Sequence, residues 1–214
     1  MGDEVNTRRY DVAQRRERSA ATRQSIIVAA RDLMMELGYR GTTVAAIATR
    51  ADVNIDTVYE LVGRKPVLLR ELIEQAISGT DHAVVPEERG HVKAMRAESD
   101  PVRKLAIYAG AIREIQERMA PLFVALRDAA STEPDVRRVW EEISTRRAKN
   151  MRKLVLDLQD AGGLRADLSI DDAADIVWAT NSSELYVMMV VERGWSPQHY
   201  EHWLADSWCR LLLP

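Results

Sequence analysis

Few residues of this 214-residue sequence have the types and spacing that catalysis or metal binding needs. His199 and His202 are three positions apart, a spacing that lets two imidazoles share a metal ion, but no cysteine or carboxylate cluster completes a tetrahedral set. The sequence contains no G-x-S-x-G, P-loop, Rossmann glycine signature or H-E-x-x-H. Cys209 stands in an apolar segment, as an inert core thiol does. We therefore expect no catalytic residue, no cofactor and no metal, and we keep a helical enzyme only as an alternative.

Polar side chains with another use concentrate in the segment NIDTVYELVGRKPVLL, residues 54–69. It begins with an amide, a carboxylate and a hydroxyl, continues through a tyrosine, and reaches two consecutive cations after Gly63. Such groups suit hydrogen bonds to phosphates and to base edges. The net charge of −3 does not by itself suggest a nucleic-acid partner, but seven arginines lie between Arg8 and Arg31, so the start of the chain is locally basic.

The apolar residues repeat with helical spacing along nearly the whole chain, and β-branched runs bounded by turns are missing. We therefore predict an all-α protein. The first apolar stripe predicts a helix over about residues 21–37, which Gly38 ends. The members of this stripe are Ile26, Ala30, Leu33 and Leu37.

Two short helices joined by a tight turn should follow. Thr43 is a suitable N-cap for VAAIATRA, and Asn54 is one for the next helix, which Gly63 ends. Each is about two turns long, so packing against neighbours must hold it. In a helix-turn-helix, the outward face of the second helix enters the DNA major groove. That face comprises Ile55, Asp56, Thr57, Tyr59 and Glu60.

The segment TTVAAIATRADVNIDTVYELVGRKPVLLREL resembles the DNA-binding segment of the tetracycline-repressor (TetR) family. The family commonly has a Thr-rich start, an I-A-x-x-A-G-V-S turn, a T-hydrophobic-Y step and a G-x-K-x-x-L-L ending. Here these are Thr42-Thr43, residues 47–54, residues 57–59 and residues 63–69. The strong match covers about residues 19–72, and the remainder is similar only in being helical and of suitable length.

The resemblance implies a role for each matching residue. Thr43 and Tyr59 would donate hydroxyls to phosphates, and Lys65 would place a cation on the DNA backbone. Specificity would come from residues 54–57, with Asn54 or Thr57 reaching base edges. The expected DNA-binding residues are Thr43, Asn54, Ile55, Asp56, Thr57, Tyr59 and Lys65.

Three positions depart from the family pattern. Asp52 stands where glycine is usual, and its short polar side chain tolerates a positive φ better than most. Leu61 and Val62 replace an aromatic partner and still fill an inward site. Asp56 and Glu60 put carboxylates on the face that approaches DNA, where they either repel phosphate or, for Asp56, accept from a cytosine amino group. A first-turn carboxylate that complements the helix dipole is the alternative for Asp56.

We predict a basic flexible arm over residues 1–18, a DNA-binding domain over 19–66 and a helical effector-binding and dimerisation domain over 67–214. Arg15, Arg16, Arg18 or Arg23 could add phosphate contacts, although a solvated tail explains their charge equally well. Pro66 opens a linking helix, and residues 79–100 should form a loop. Prolines and the Gly162-Gly163 pair predict helices over residues 101–119, 121–130, 135–161, 171–193 and 197–212.

The last two helices are apolar around much of their circumference, so they need burial on two sides. The resemblance implies that they pair with their copies in a four-helix homodimer interface, and a wholly intramolecular core is the alternative. A dimer would hold two recognition helices about 34–36 Å apart on a palindromic operator of double-stranded DNA.

Met and Trp side chains in the middle domain would suit an apolar pocket for a small-molecule effector, although at helical spacing they are more often plain core. The candidate pocket residues are Tyr108, Met119, Phe123, Trp140, Met151, Trp178 and Asn181.

The sequence therefore predicts a cytoplasmic transcription regulator with no membrane span, a homodimeric repressor that a small molecule releases from its operator. A helical ligand-binding module with weak or no operator binding is the alternative. The sequence does not identify the operator, the effector or the regulated genes.

Overall fold

The structure is a computed structural model that describes residues 3–80 and 82–214, with the side chains of residues 14–80 and 82–214. Its regular elements are all helical over these residues, which confirms the predicted all-α class. The chain divides into two compact units, Met1–Leu72 and Ile73–Pro214. The predicted boundaries at residues 18 and 66 stay a prediction. No described helix is long and apolar enough to cross a bilayer.

Four helices begin or lie in the first unit: α1 (Asp3–Gly41), α2 (Val44–Arg50), α3 (Ile55–Leu61) and α4 (Lys65–Ser78). The predicted stop at Gly38 is confirmed, since this residue has a φ of 70° inside the α1 span. The start at Ala21 is wrong, because the described residues from Gln14 onward are already helical. Nothing before Ala21 breaks a helix, since residues 14–20 include Gln, Arg, Glu and Ala, which are good helix formers.

The two short helices have the predicted caps and turn. Thr43 Oγ1 accepts a hydrogen bond of 3.1 Å from the Ala46 amide and so caps α2. Asn54 occupies the N-cap position of α3 with extended backbone but makes no side-chain capping bond. Asp52 has a φ of 55°, the one positive value at a described non-glycine residue, as its place in the turn predicts. The helices are held by a buried core of Ile26, Ile27, Leu33, Ile47, Val58, Leu68 and Leu69.

The described residues of the second unit contain eight helical elements after the end of α4. They are a 3₁₀ turn (Pro86–Glu88), α5 (Gly90–Ala97), α6 (Pro101–Ala130), α7 (Pro134–Asp160), α8 (Ile170–Thr180), α9 (Ser183–Tyr186) continued by a π-helical turn (Val187–Glu192), and α10 (Pro197–Leu212). The helices predicted over 135–161 and 197–212 are confirmed to within a residue.

Three predicted boundaries in this unit are wrong. The expected loop over 79–100 contains α5, whose Met95 anchors an otherwise polar segment in the core. Residues 101–130 form one helix, because Pro121 removes only one helical hydrogen bond and its buried neighbours keep the helix packed. The helix expected over 171–193 breaks after Thr180, and Ser182 caps α9 through a bond of 3.2 Å from the Leu185 amide.

The core of the second unit joins α10 to α6 and α8. Trp208 stacks on Tyr108 with ring centroids 5.2 Å apart, and its indole N–H donates to Thr180 Oγ1 at 2.7 Å. The Tyr200 hydroxyl donates to the Thr180 carbonyl at 3.1 Å. One face of α10 is therefore buried within its own chain, against the end of α8.

The positive φ of Asp52 predicts how the turn responds to substitution. Asp52→Ala should lower the free energy of local opening around α2 and α3 by about 1 kcal/mol, because alanine lacks the polar side chain that eases this conformation. Asp52→Gly should stay close to wild type, since glycine adopts it without strain. Hydrogen exchange of the α2 and α3 amides measures this opening, and equal protection in the two variants would contradict the expectation.

Candidate nucleic-acid interface and ligand cavity

The α3 helix presents a mixed polar and apolar face to solvent. Ile55 is 44% exposed and Tyr59 is 49% exposed, while Val58 on the opposite side is fully buried. Asn54, Asp56 and Glu60 are also exposed, and Thr57 is half-buried at the edge of this face. We call Asn54, Ile55, Asp56, Tyr59 and Glu60 the α3 face. Four of these residues were predicted on the outward side, whereas Thr57, which was also predicted there, is half-buried and Asn54 was predicted as the N-cap.

Hydroxyl and amide groups at this end of the first unit are placed where a polymer could reach them. Thr43 is exposed, and its oxygen accepts the capping bond, so its O–H remains able to donate. The Asn54 side chain is exposed and makes no capping bond. These positions suit donation to phosphate oxygens or base edges, and their roles in DNA binding stay predictions.

Lys65 binds protein rather than facing outward with α3. Its ammonium group donates to the carbonyl oxygens of Tyr39 at 2.9 Å and Thr42 at 3.1 Å. It also lies 4.0 Å from the centroid of the Tyr39 ring. These bonds connect the first turn of α4 to the end of α1. The phosphate contact that the family resemblance implied for Lys65 stays a prediction, and the neighbouring Arg64 is exposed.

The described arginines of α1 are also of two kinds, since some bind groups of the protein and others are exposed to solvent. Arg23 forms an ion pair with Glu71 and donates to the Leu61 carbonyl at 3.2 Å, so it joins α1 to α3 and α4. The Arg23 side chain is still 41% exposed, and its phosphate contact stays a prediction. Arg15, Arg16 and Arg18 are exposed on α1. The side chains of the predicted arm before Gln14 lie outside the described residues.

A second candidate site is a cavity inside residues 73–214, with an empty volume of about 1030 Å³ including its open mouth. Its walls come from the end of α4, the 3₁₀ turn, α5, α6, α7 and the Asn181 segment. The apolar lining includes Ile77, Met95, Ile112, Met119, Ile143 and Leu154. Small-molecule sites in proteins are likewise lined mostly by apolar side chains.

Of the seven residues predicted to line a pocket, four line this cavity and three do not. Tyr108, Met119, Met151 and Asn181 line the cavity. Phe123, Trp140 and Trp178 do not line it. Phe123 is 2% exposed, a core position. The lining also contains charged residues that the sequence reasoning passed over, because cations on an amphipathic helix are usually solvated.

Asn181 is the centre of a polar cluster on the cavity wall. Its amide group donates to the Tyr108 hydroxyl and to Met151 Sδ, each at 2.9 Å, and its Oδ1 accepts from Arg147 at 2.6 Å. Its backbone carbonyl accepts from Gln116 at 2.7 Å, and Gln116 in turn accepts from Ser183 at 2.8 Å. The break between α8 and α9 frees this carbonyl from the helical ladder.

Burial changes the acid–base properties of this wall. It raises the pKa of the Tyr108 phenol to about 12, although the charges of Arg147 and Arg89 and the bond from Asn181 act in the opposite direction. Loss of hydration also lowers the pKa of both Arg147 and Arg89. Tyr108 therefore stays a neutral hydroxyl, and the two guanidinium groups are held where water solvates them poorly.

Residues 26–72 match the family model of the bacterial regulatory proteins, tetR family. The match covers the end of α1, the two short helices and the start of α4, including the α3 face. No curated protein matches the chain in sequence.

Solved structures share the fold over most of the chain. The fatty acid degradation regulator FadR from Bacillus halodurans is 18% identical with a TM-score of 0.72, covering 88% of this chain and 94% of its own. FadR from Bacillus subtilis in complex with stearoyl-CoA is 16% identical with a TM-score of 0.69, covering 86% and 96%. A regulator from Saccharomonospora viridis in complex with choline is 16% identical with a TM-score of 0.68, covering 91% and 99%.

The contacts of Lys65 predict a structural role that can be separated from its charge. Lys65→Met keeps the apolar stem and removes the ammonium, so it should lower the unfolding free energy of the first unit by about 2 kcal/mol. Arg64→Met removes the adjacent exposed cation and should change that free energy little. Hydrogen exchange of the α2 and α3 amides checks both variants. Equal effects of the two would contradict a structural role for Lys65.

Proposed function

We propose that this chain, a member of the tetR family of bacterial regulatory proteins, is a homodimeric repressor that a small-molecule effector releases from a palindromic operator. The observation that carries the proposal is the exposed α3 face on a helix-turn-helix whose sequence matches the family model. A DNA-binding transcription regulator is the function of that family.

DNA contact is proposed through α3, the preceding turn and the cap of α2. Ile55 and Tyr59 are large side chains that nothing in their own unit covers, which favours contact with a partner at this face. Thr43, Asn54 and Thr57 supply polar groups along the same face or its edge. Tyr59 would donate its hydroxyl to a phosphate, and residues 54–57 would approach base edges.

A homodimer is supported by apolar side chains near the end of the chain. Among the described residues of the second unit, five large hydrophobic side chains are exposed, and three of these lie on the last two elements. They are Met188 and Val191 on the π-helical turn and Leu211 on α10. Since the opposite face of α10 is buried in its own chain, these groups favour an interface with a second copy.

Effector release is proposed through the cavity of the second unit. Related structures hold stearoyl-CoA in one case and choline in another, so this fold accommodates small molecules of different charge. A ligand that binds one conformation of the dimer better than another would shift the separation of the recognition helices.

The second candidate function is a ligand-binding module with weak operator binding. The observation that favours it is the exposure of Asp56 and Glu60 on the α3 face, where phosphate repulsion opposes binding. The two functions make opposite predictions for DNA.

Operator binding predicts distinct effects for the hydroxyl and the carboxylates of α3. Tyr59→Phe should weaken binding about tenfold to operator and unrelated DNA alike, with an unchanged salt slope because no charge is lost. Glu60→Gln should strengthen both, since it removes a repulsive charge. Asp56→Asn should do the same unless Asp56 reads a base, in which case affinity for the operator falls while affinity for unrelated DNA still rises.

Mobility shifts on the DNA upstream of the gene, at two salt concentrations, measure these effects. Absence of salt-sensitive, sequence-specific binding by the wild-type protein would rule out the repressor and favour the ligand-binding module.

The proposed interface predicts the effect of charge on self-association. The double substitution Met188→Glu with Val191→Glu should weaken the dimer about tenfold or more, because carboxylates would be buried against apolar partners. Val102→Glu is a matched control, since Val102 is also about half exposed but lies on α6. Sedimentation equilibrium measures the dissociation constant. A monomeric wild type, or an equal effect of the control, would contradict the proposed interface.

A further inference from the structure

The charges that line the cavity are unbalanced. The lining contains the cations Arg89, Arg96, Arg146, Arg147 and Lys153 but only two carboxylates, those of Glu87 and Asp157. Both carboxylates already have cationic partners, and of the lining arginines Arg146 pairs with Glu74, which is outside the lining. Glu87 pairs with Lys153 at 2.7 Å, and Asp157 pairs at 2.7 Å with Lys104, which is outside the lining. Neither carboxylate is paired with an arginine of the cavity wall.

Arg147 is a cation held without a carboxylate. Its guanidinium donates to Asn181 Oδ1 at 2.6 Å and to the Trp178 carbonyl at 3.0 Å, and it forms no ion pair with any described residue. It lies 5.1 Å from the Trp178 ring centroid, so an aromatic face covers part of it. A guanidinium in this position has lost water without gaining a counter-charge, which is unfavourable until an anion arrives.

Arg89 is a second cation of this kind. It precedes Tyr108 in the sequence and lies between the 3₁₀ turn and α5, whereas Arg147 follows Tyr108 and lies on α7. Its Nε donates to the Val84 carbonyl at 3.1 Å, and among the described residues it too forms no ion pair. Both guanidinium charges act on the Tyr108 hydroxyl. The hydroxyl itself donates to Met151 Sδ at 3.1 Å and accepts from Asn181 at 2.9 Å. Arg147 and the neutral donor network therefore share one part of the wall, and Arg89 lines the same cavity.

The rest of the lining disfavours cationic and neutral ligands. The lining contains one tyrosine, Tyr108, one histidine, His91, and no phenylalanine or tryptophan, so the cavity lacks the aromatic cage that binds a quaternary ammonium. A neutral ligand would leave Arg147 and Arg89 without a counter-charge. The apolar side chains from α4, α5, α6 and α7 suit a hydrocarbon body.

We infer that the cavity binds an amphipathic organic acid whose carboxylate or phosphate pairs with Arg147 and Arg89, while its apolar body lies against the methionine, isoleucine and leucine side chains. Arginine pairs with both kinds of anion in a bidentate geometry. The inference rests on the proposed function, because it assigns a chemical class to the proposed effector.

Calorimetry on the full-length protein without DNA tests the class directly. The probes are decanoate, decyl phosphate, decanol and decyltrimethylammonium, each below the concentration at which it forms micelles. We expect one or both anions to bind at least about tenfold more tightly than the alcohol and the ammonium, and the stronger anion identifies the head group. Equal binding of all four, preference for the ammonium, or no binding of either anion would overturn the inference.

Two substitutions and a control locate the anion. Arg89→Gln and Arg147→Gln should each weaken binding of the stronger anion about tenfold and change decanol binding little. Arg138→Gln, an exposed position on the same helix as Arg147 and outside the cavity lining, should leave both unchanged. Circular dichroism checks that each variant is folded, and Arg147→Met, which also removes the charge, replaces Arg147→Gln if the latter unfolds. Unchanged anion affinity in the folded Arg89 and Arg147 variants would overturn the assignment.

The calorimetry tests the ligand class and the mobility shift tests DNA binding, so either result can be negative without the other. If the anion binds as expected but releases no DNA, the ligand class stands and effector-controlled repression does not. If DNA binding is specific but the anions do not bind, the regulator stands and the assigned ligand class is wrong.

Discussion

The ammonium group of Lys65 binds the carbonyl oxygens of Tyr39 and Thr42, and the helix-turn-helix depends on this contact. Helices α2 and α3 have seven residues each, too short to be stable in water without packing. They lie in sequence between the two elements that Lys65 joins. Arg23 reinforces the same arrangement through Glu71 and the Leu61 carbonyl. Two cations of the first unit thus stabilise its internal geometry, and the α3 face presents mainly hydroxyl, amide, carboxylate and apolar groups.

The cavity depends on a different constraint, the break between α8 and α9. A continuous helix would have used the Asn181 carbonyl in its own hydrogen-bond ladder and would have directed its side chain by helical geometry alone. Because the ladder stops at Thr180, the carbonyl accepts from Gln116 and the side chain reaches Tyr108 and Arg147. Asn181, which lies outside the regular helix, therefore connects α6, α7 and α8. It makes the cavity wall polar beside Tyr108 and Arg147.

Helix packing and cavity chemistry tolerate sequence change to different extents, which explains why similar folds hold different ligands. The backbone is similar to regulators that are 16–18% identical, including structures that hold stearoyl-CoA and choline. Helix packing tolerates such divergence because many apolar side chains of suitable volume fill the same space. Cavity chemistry does not, because a single arginine or carboxylate in poorly hydrated surroundings decides which charge is accepted.

The sequence by itself determined the helical class, the cap at Thr43, the positive φ of Asp52 and most of the outward residues of α3. These follow from local spacing and backbone preferences, which act within a few residues. Tertiary structure decided which groups Lys65, Arg23 and Arg147 bind. It also brought Tyr108, Met151 and Asn181 to one cavity wall and left Phe123, Trp140 and Trp178 outside the lining. A cation has the same sequence signature whether it faces water, a carbonyl or an anion, because its partner comes from a distant part of the chain.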